Sequence, residues 1–203
     1  MTRVKICGIT NLADAQNAVR SGVDAIGFVF APSPRRISLE KAAAISKAVG
    51  PWVATVGVFV NAKPSEVRRA VSRCGLTAAQ LHGDESASYV RRLKGVRVIK
   101  AFRVDQNFDF STPKKYRVSA FLFDARSGER FGGTGKTFDW GLLKGKKFSA
   151  PVILSGGLDS RNVQKAIKFL SPYGVDASSR VERALGKKDH KLVKEFIQNV
   201  KNA

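Results

Sequence analysis

The chain reads as an α/β protein, a single small (β/α)8 barrel over residues 1–203, and three observations predict it. Eight short apolar runs fall near residues 3–7, 25–30, 53–59, 78–82, 97–102, 119–124, 151–155 and 174–177. Amphipathic stretches of helical period separate them, which means parallel strands joined by crossovers. Groups able to do chemistry fall where the runs end: Cys7, Gln80-Leu81-His82-Gly83, Asp124, Ser155-Gly156-Gly157 and Ser178-Ser179. An open doubly wound sheet is the other architecture for this alternation. The count of eight and the regular spacing favour closure. In a barrel the C-terminal strand ends form one mouth.

Each element has a local reason. In the first strand Val4 and Ile6 share one face while Lys5 and Cys7 share the other, because strand side chains alternate. Ser33-Pro34-Arg35-Arg36 follows the second strand, so a guanidinium can reach the mouth from that side. Pro64 stands where a helix should begin, which suits its fixed φ. The stripe Val67, Ala70, Val71, Cys74 then marks that helix and makes Cys74 a small buried hydrophobe. Residues 106–117 support only a short or irregular helix. The sixth strand, Ala120-Phe121-Leu122-Phe123-Asp124, ends a buried run in an acid.

Ala125 through Asp139 is too long and glycine-rich for a minimal connector and reads as a lid over the mouth. Its Phe131-Gly132-Gly133-Thr134-Gly135-Lys136-Thr137 lacks the glycine spacing of a nucleotide-binding P-loop. Leu154-Ser155-Gly156-Gly157-Leu158 ends strand seven, and Asp159 and Ser160 are polar starters for the stripe Val163, Ala166, Ile167, Leu170. Val175-Asp176-Ala177-Ser178-Ser179 ends strand eight. Leu192, Val193, Phe196, Ile197 and Val200 give the last helix its apolar side.

Composition narrows the function. No apolar run is long enough to span a membrane, and the N-terminus lacks a secretory pattern, so the expectation is a cytoplasmic protein without a membrane partner. Cys7 and Cys74 are then not expected to pair. Lys plus Arg number 36 against 16 Asp plus Glu, a net charge of +20. Such a surface attracts anions. The cations are scattered, as in Arg68-Arg69 and Lys146-Lys147, without a basic tail or an RNA-binding signature. A solvated basic surface on an enzyme with anionic substrates fits better than a specific nucleic-acid partner.

Closure makes the site residues neighbours. The loops after strands seven and eight form the usual phosphate cradle of this barrel class. Cys7 and Asp124 become an acid/base pair if their strand ends converge. An arginine at position 35 or 36 suits a carboxylate because its planar fork binds both oxygens, although a surface role is equally open. Strand eight lies beside strand one, and alternation turns Lys5 and Asp176 inward, predicting an interior ion pair that lends positive potential to Cys7. His82 faces the mouth, as a ligand contact or a structural hydrogen bond. With His82 and His190 the only histidines, no metal site is expected.

Lys5 to Thr10, Gly27-Phe28-Val29-Phe30 with Ser33-Pro34-Arg35, and Val56-Gly57-Val58-Phe59-Val60-Asn61 resemble the phosphoribosylanthranilate isomerase family. So do Gln80 to Gly83, Gly132 to Trp140 and Leu154 to Leu158, in order along nearly the whole chain. The resemblance implies a TIM barrel that carries out the Amadori rearrangement of N-(5-phosphoribosyl)anthranilate in tryptophan biosynthesis, without metal or organic cofactor. It implies Cys7 as general base, Asp124 as general acid, Arg35 on the anthranilate carboxylate, His82 at the substrate, and Gly156, Gly157, Ser178 and Ser179 on the phosphate. A monomer or a homodimer fits equally. Neighbouring cations would help Cys7 form thiolate, and burial would help Asp124 keep a proton.

One departure stands out. The family motif Ser-Ser-Gly-Val-Glu reads here Ser178-Ser179-Arg180-Val181-Glu182. Arg180 strains the loop or weakens phosphate binding if a positive φ or close phosphate approach is required there, and offers a compensating cation beside the phosphate if the backbone is ordinary. Other readings are weaker. The histidine-pathway ProFAR isomerase, with its bis-phosphate substrate, would want aspartate in place of Cys7 and a longer chain. Indole-glycerol phosphate synthase would want a lysine-centred motif. A non-catalytic anion-binding barrel would not need both Cys7 and Asp124.

Overall fold

The computed structural model describes residues 1–125 and 138–203. Its strands are β1 (Arg3–Cys7), β2 (Ala25–Val29), β3 (Ala54–Phe59), β4 (Ala78–Leu81), β5 (Val98–Val104), β6 (Ala120–Ala125), β7 (Val152–Leu154) and β8 (Gly174–Ala177). They form one closed parallel barrel in chain order, as the alternation predicts. Near-continuous apolar strands are what a parallel sheet covered on both faces requires.

The helices start where side chains can satisfy their free N–H groups. Asn11 caps α1 (Leu12–Arg20), Ser38 caps α2 (Leu39–Val49) and Ser86 caps α4 (Ala87–Arg91). Pro64 opens α3 (Pro64–Cys74), where the Glu66 carboxylate accepts from the Lys63 N–H. Asp189 accepts from Lys191 and Leu192 at the start of α6 (His190–Lys201). Among the described residues of the connections after β5 and β6, short 3-10 turns stand at Thr112–Lys115 and Trp140–Leu143. The weak pattern over 106–117 foreshadows the first.

Helix α5 (Val163–Leu170) begins later than its polar starters suggest. The Asp159 carboxylate accepts from the Arg161 N–H, and the Asn162 side chain accepts from the Asp159 N–H. These bonds hold a separate turn that delays the helix by about one turn of chain.

Two apolar layers result. The larger lies between barrel and helices and holds Phe28, Phe121, Phe123 and Phe196. The smaller, Val56, Ala78, Ile99, Ala101, Ala120, Leu122 and Ile153, comes from the alternate residues of β3 to β7 and fills the interior. Neither β1 nor β8 contributes to it. At their seam Lys5 and Asp176 lie directly opposite in register, with Lys5 Nζ 2.9 Å from Asp176 Oδ2 and side chains 5% and 6% exposed. The ion pair expected from alternation is therefore present, in place of an aliphatic layer.

Removing one partner of such a pair leaves a buried uncompensated charge. Lys5→Met or Asp176→Leu alone is expected to cost about 3–5 kcal/mol in urea unfolding. The double variant is expected to lose markedly less than the sum, and strict additivity would contradict the coupling.

Candidate active site

The site grows from the end of β1. Cys7 pairs in register with Gly27 on β2, and a Cβ at Gly27 would fall 2.7 Å from Cys7 Sγ and 3.1 Å from Lys5 Cε. A side chain there would displace the thiol or the lysine, so β2 carries glycine where β1 carries its reactive groups. Burial pushes the Cys7 thiol above its ordinary pKa. Lys5 pulls it down, Asp176 raises it and Lys188 lowers it, but burial prevails. The expectation that neighbouring cations favour thiolate is thus half met: they act in that direction and are outweighed.

Asp124 ends the inward face of β6, 5% exposed. Its Oδ1 accepts from the Ala125 N–H at 2.8 Å. Its Oδ2 lies 3.2 Å from His82 Nε2, and His82 Nδ1 lies 2.9 Å from Gln80 Nε2. Gln80 and His82 share one face of the β4 extension. With the Gln80 amide assigned to donate, the ring carries its proton on Nε2, which is near Asp124 but makes no hydrogen bond among the described residues. His82 thus makes the expected structural hydrogen bond, to Gln80, on the face that turns toward the mouth. Asp176 connects the two halves: burial and then Asp124 raise its pKa, Lys5 and more weakly His82 lower it.

The glycine-rich loop packs on the acid. Gly156 has φ +90°, and a Cβ there would fall 2.6 Å from Ala125 N and 2.9 Å from Asp124 Oδ1. Gly157 follows at φ +63°. Among the described residues neither glycine N–H donates to a backbone acceptor in a turn or loop. Ser178 and Ser179 lead from β8 into a 3-10 turn, Ser179–Val181. Positive φ at non-glycine residues occurs at Asn61 and Ser171, so Arg180 sits in ordinary backbone and strains nothing. Its charge also reaches Asp159, where burial is overcome by Arg161 with a smaller contribution from Arg180.

Arg35 crosses the mouth over Gly8, whose Cβ would fall 2.7 Å from Arg35 Cδ and 3.2 Å from Ser178 Oγ. Its Nε and Nη2 donate to the two oxygens of Glu182, each at 2.8 Å. Lys188 Nζ donates to Glu182 Oε1 at 2.9 Å and to the Ser178 carbonyl at 3.0 Å. Glu182 and Lys188 come from a hairpin, β9 (Glu182–Ala184) with β10 (Lys187–Lys188), between β8 and α6. Asp14 fastens it, accepting from the Lys188 N–H and lying 3.0 Å from His190 Nε2.

Sequence reasoning missed the roles of Lys188, Gln80 and Gly27, and met Glu182 only as the end of a motif. It also missed a clamp beneath His82, where Lys100 Nζ donates to the Leu81 and Gly83 carbonyls and to Glu85. The expected lid falls on residues outside those described, apart from its ends. Among the described residues no group of three His, Cys, Asp or Glu could hold a metal ion. Cys7, His82, Asp124, Gly156, Gly157, Ser178, Ser179 and Arg35 all stand at the C-terminal end of the barrel.

Two outcomes follow from the packing. In a Cys74→Ala background, the pH at which Cys7 ionises, read by its alkylation rate, should lie above the usual thiol range of about 8.5. Lys5→Met should move it higher still, since a cation favouring thiolate is lost; a downward move contradicts the assignment. Gly27→Ala should reduce turnover at least about tenfold while costing only about 1–3 kcal/mol of stability.

A family model described as N-(5'phosphoribosyl)anthranilate (PRA) isomerase matches residues 4–199. The N-(5'-phosphoribosyl)anthranilate isomerase of Geobacter sulfurreducens is 47% identical, over 99% of each chain. The crystal structure of phosphoribosyl anthranilate isomerase from Thermotoga maritima superposes with a TM-score of 0.93 at 45% identity, covering all of both chains. A second isomerase structure, in complex with reduced 1-(o-carboxyphenylamino)-1-deoxyribulose 5-phosphate, gives 0.90 at 43% identity, again over the whole of both. Matched end to end in sequence and in fold, the chain belongs to the N-(5'-phosphoribosyl)anthranilate isomerase family.

Proposed function

We propose that residues 1–203 act as one catalytic barrel that isomerises N-(5-phosphoribosyl)anthranilate to the carboxyphenylamino-deoxyribulose phosphate, a step of tryptophan biosynthesis. The observation that carries the assignment of roles is the convergence of Cys7 on β1 and Asp124 on β6 upon one mouth, Cys7 packed against Gly27 of β2 and Asp124 against Gly156 of the loop after β7. A protonated Asp124 gives its proton to the furanose oxygen, the C–O bond to the anomeric carbon breaks, and the aniline nitrogen lone pair forms the iminium. Cys7 thiolate then removes the proton from the adjacent carbon. The electron pair moves toward nitrogen and leaves an enolamine. Protonation at the former anomeric carbon and loss of the enol proton give the aminoketose. Atoms and electrons balance within the substrate, so no external oxidant or reductant enters.

The N–H groups at Gly156, Gly157 and Ser179, with the Ser178 hydroxyl, hold the phosphate at the strand-seven and strand-eight ends. Arg35 meets the anthranilate carboxylate with its remaining donors. His82 borders the sugar beside Asp124, which the Ala125 N–H holds through Oδ1. Buried polar atoms without a hydrogen-bond partner among the described residues, including Gln80 Oε1 and Asp176 Oδ1, suit sugar hydroxyls in the same mouth. Both thiols are unpaired, which fits a reducing cytoplasm, and no helix among the described residues is long and apolar enough to cross a membrane.

The test follows the fluorescence of freshly generated phosphoribosylanthranilate. Cys7→Ser and Asp124→Asn are each expected to lower kcat by about 10²–10⁴-fold with unfolding curves little changed. Full turnover in either folded variant removes that residue from the chemistry.

A further inference from the structure

Two of the mouth's charged residues, Glu182 and Lys188, take no part in the proton transfers, yet their side chains are only 4% and 0% exposed. Burying such groups is costly unless something compensates. Their partners here are Arg35 and the Ser178 carbonyl, which belong to the two ends of the substrate site. We propose that Glu182 is a specificity-determining residue, which sets the Arg35 subsite for a singly charged carboxylate and against a dianionic phosphate. This deepens the reading of Arg35 as the carboxylate contact and rests on it.

Geometry limits what Arg35 can offer. A guanidinium holds carboxylate and phosphate alike by two parallel N–H bonds, so the donors left over set where a ligand docks and the charge sets which one. Glu182 takes the Nε–Nη2 edge with two bonds of 2.8 Å, leaving Nη1 and the outer Nη2 hydrogen for a ligand. Charge limits it further. Arg35 and Lys188 carry +2, and Glu182 brings the cluster to +1, which one carboxylate neutralises. A dianion at the same place would leave an excess negative charge against the Glu182 carboxylate, in a buried setting where repulsion is weakly screened. Specificity built this way needs a repulsive element as well as an attractive one. A bis-phosphorylated sugar isomerase substrate, with a second phosphate at this end, is the competitor such an element excludes.

The experiment measures dissociation constants for three probes. They are the reduced carboxyphenylamino-deoxyribulose phosphate, its counterpart with phosphonate in place of carboxylate, and the phenylamino compound with neither. Wild-type protein should prefer carboxylate over phosphonate by about tenfold or more. Glu182→Gln should erase or reverse that preference while changing the affinity of the acid-free probe less than about twofold. Lys188→Met, which takes the cluster charge in the opposite direction, should sharpen the preference and serves if the first variant fails to fold. An unchanged carboxylate-to-phosphonate ratio in the folded variants overturns the inference, as does an equal loss for all three probes, the mark of a merely structural role. Wild-type protein that binds the acid-free probe as tightly as the carboxylated one overturns the reading of Arg35 itself.

Discussion

The ion pair between Lys5 and Asp176 is the constraint around which the site is arranged. It joins the first and last strands of the barrel at the seam where the interior apolar layer has no member. Two side chains lost to water at that point need each other, so the seam must close in one register for either to be tolerated. A slip by one residue would turn Lys5 and Cys7 outward together. The pair is thus an indicator of correct closure as much as a source of stability. Its geometry supports that view: Lys5 lies close to Oδ2 but off the hydrogen-bond direction, and Asp176 Oδ1 has no partner among the described residues. An interaction tuned only for stability would satisfy both atoms.

From that seam the mouth is built by steric permission and charge. Gly27 gives the thiol and the lysine stem their space, Gly8 gives Arg35 its path, and Gly156 lets the phosphate loop lie on Asp124. At the first and third of these positions the chain atoms already present leave no room for a methyl group. Charge does the complementary work. Three buried cations, Lys5, Lys188 and Arg35, face Asp176 and Glu182 around the thiol and the β8 terminus. The net positive charge of that count suits a substrate with two anionic groups, a phosphate at one end and a carboxylate at the other.

The barrel and much of the mouth were legible because they rest on periodicity. Alternation alone places Lys5, Cys7, His82, Asp124, Asp176 and Ser178 on inward faces, and parallel closure brings those faces together. What escaped depends on distances between elements that no period encodes. Glu182 and Lys188 sit in a hairpin so short that its strands carry no alternation signal, and both look like surface charges in a chain already rich in them. Gly27 reads as an ordinary small strand residue until its neighbour's sulfur is placed. The late start of α5 escaped because Asp159 and Ser160 have the composition of a helix cap but spend it on a preceding turn. Arg180 is the reverse case: sequence posed the alternatives, and a backbone dihedral removed the one that required strain.

The buried thiol raises a question that its neighbours answer. A base is useful in proportion to both its strength and the fraction of it that is ionised. Burial makes the Cys7 thiolate a stronger base and a rarer one; each unit by which its pKa exceeds the ambient pH lowers the thiolate fraction about tenfold. Basic strength recovers only part of that loss, since proton-transfer rates rise with pKa less than proportionally. An aliphatic residue in place of Lys5 would complete the interior layer but leave the thiol with burial alone. Lysine at this position, with Lys188 behind it, pulls against that upward shift and favours the thiolate. The interior of the barrel therefore gives up an apolar layer at its seam because the group directly above needs a cation more than the core needs a methyl.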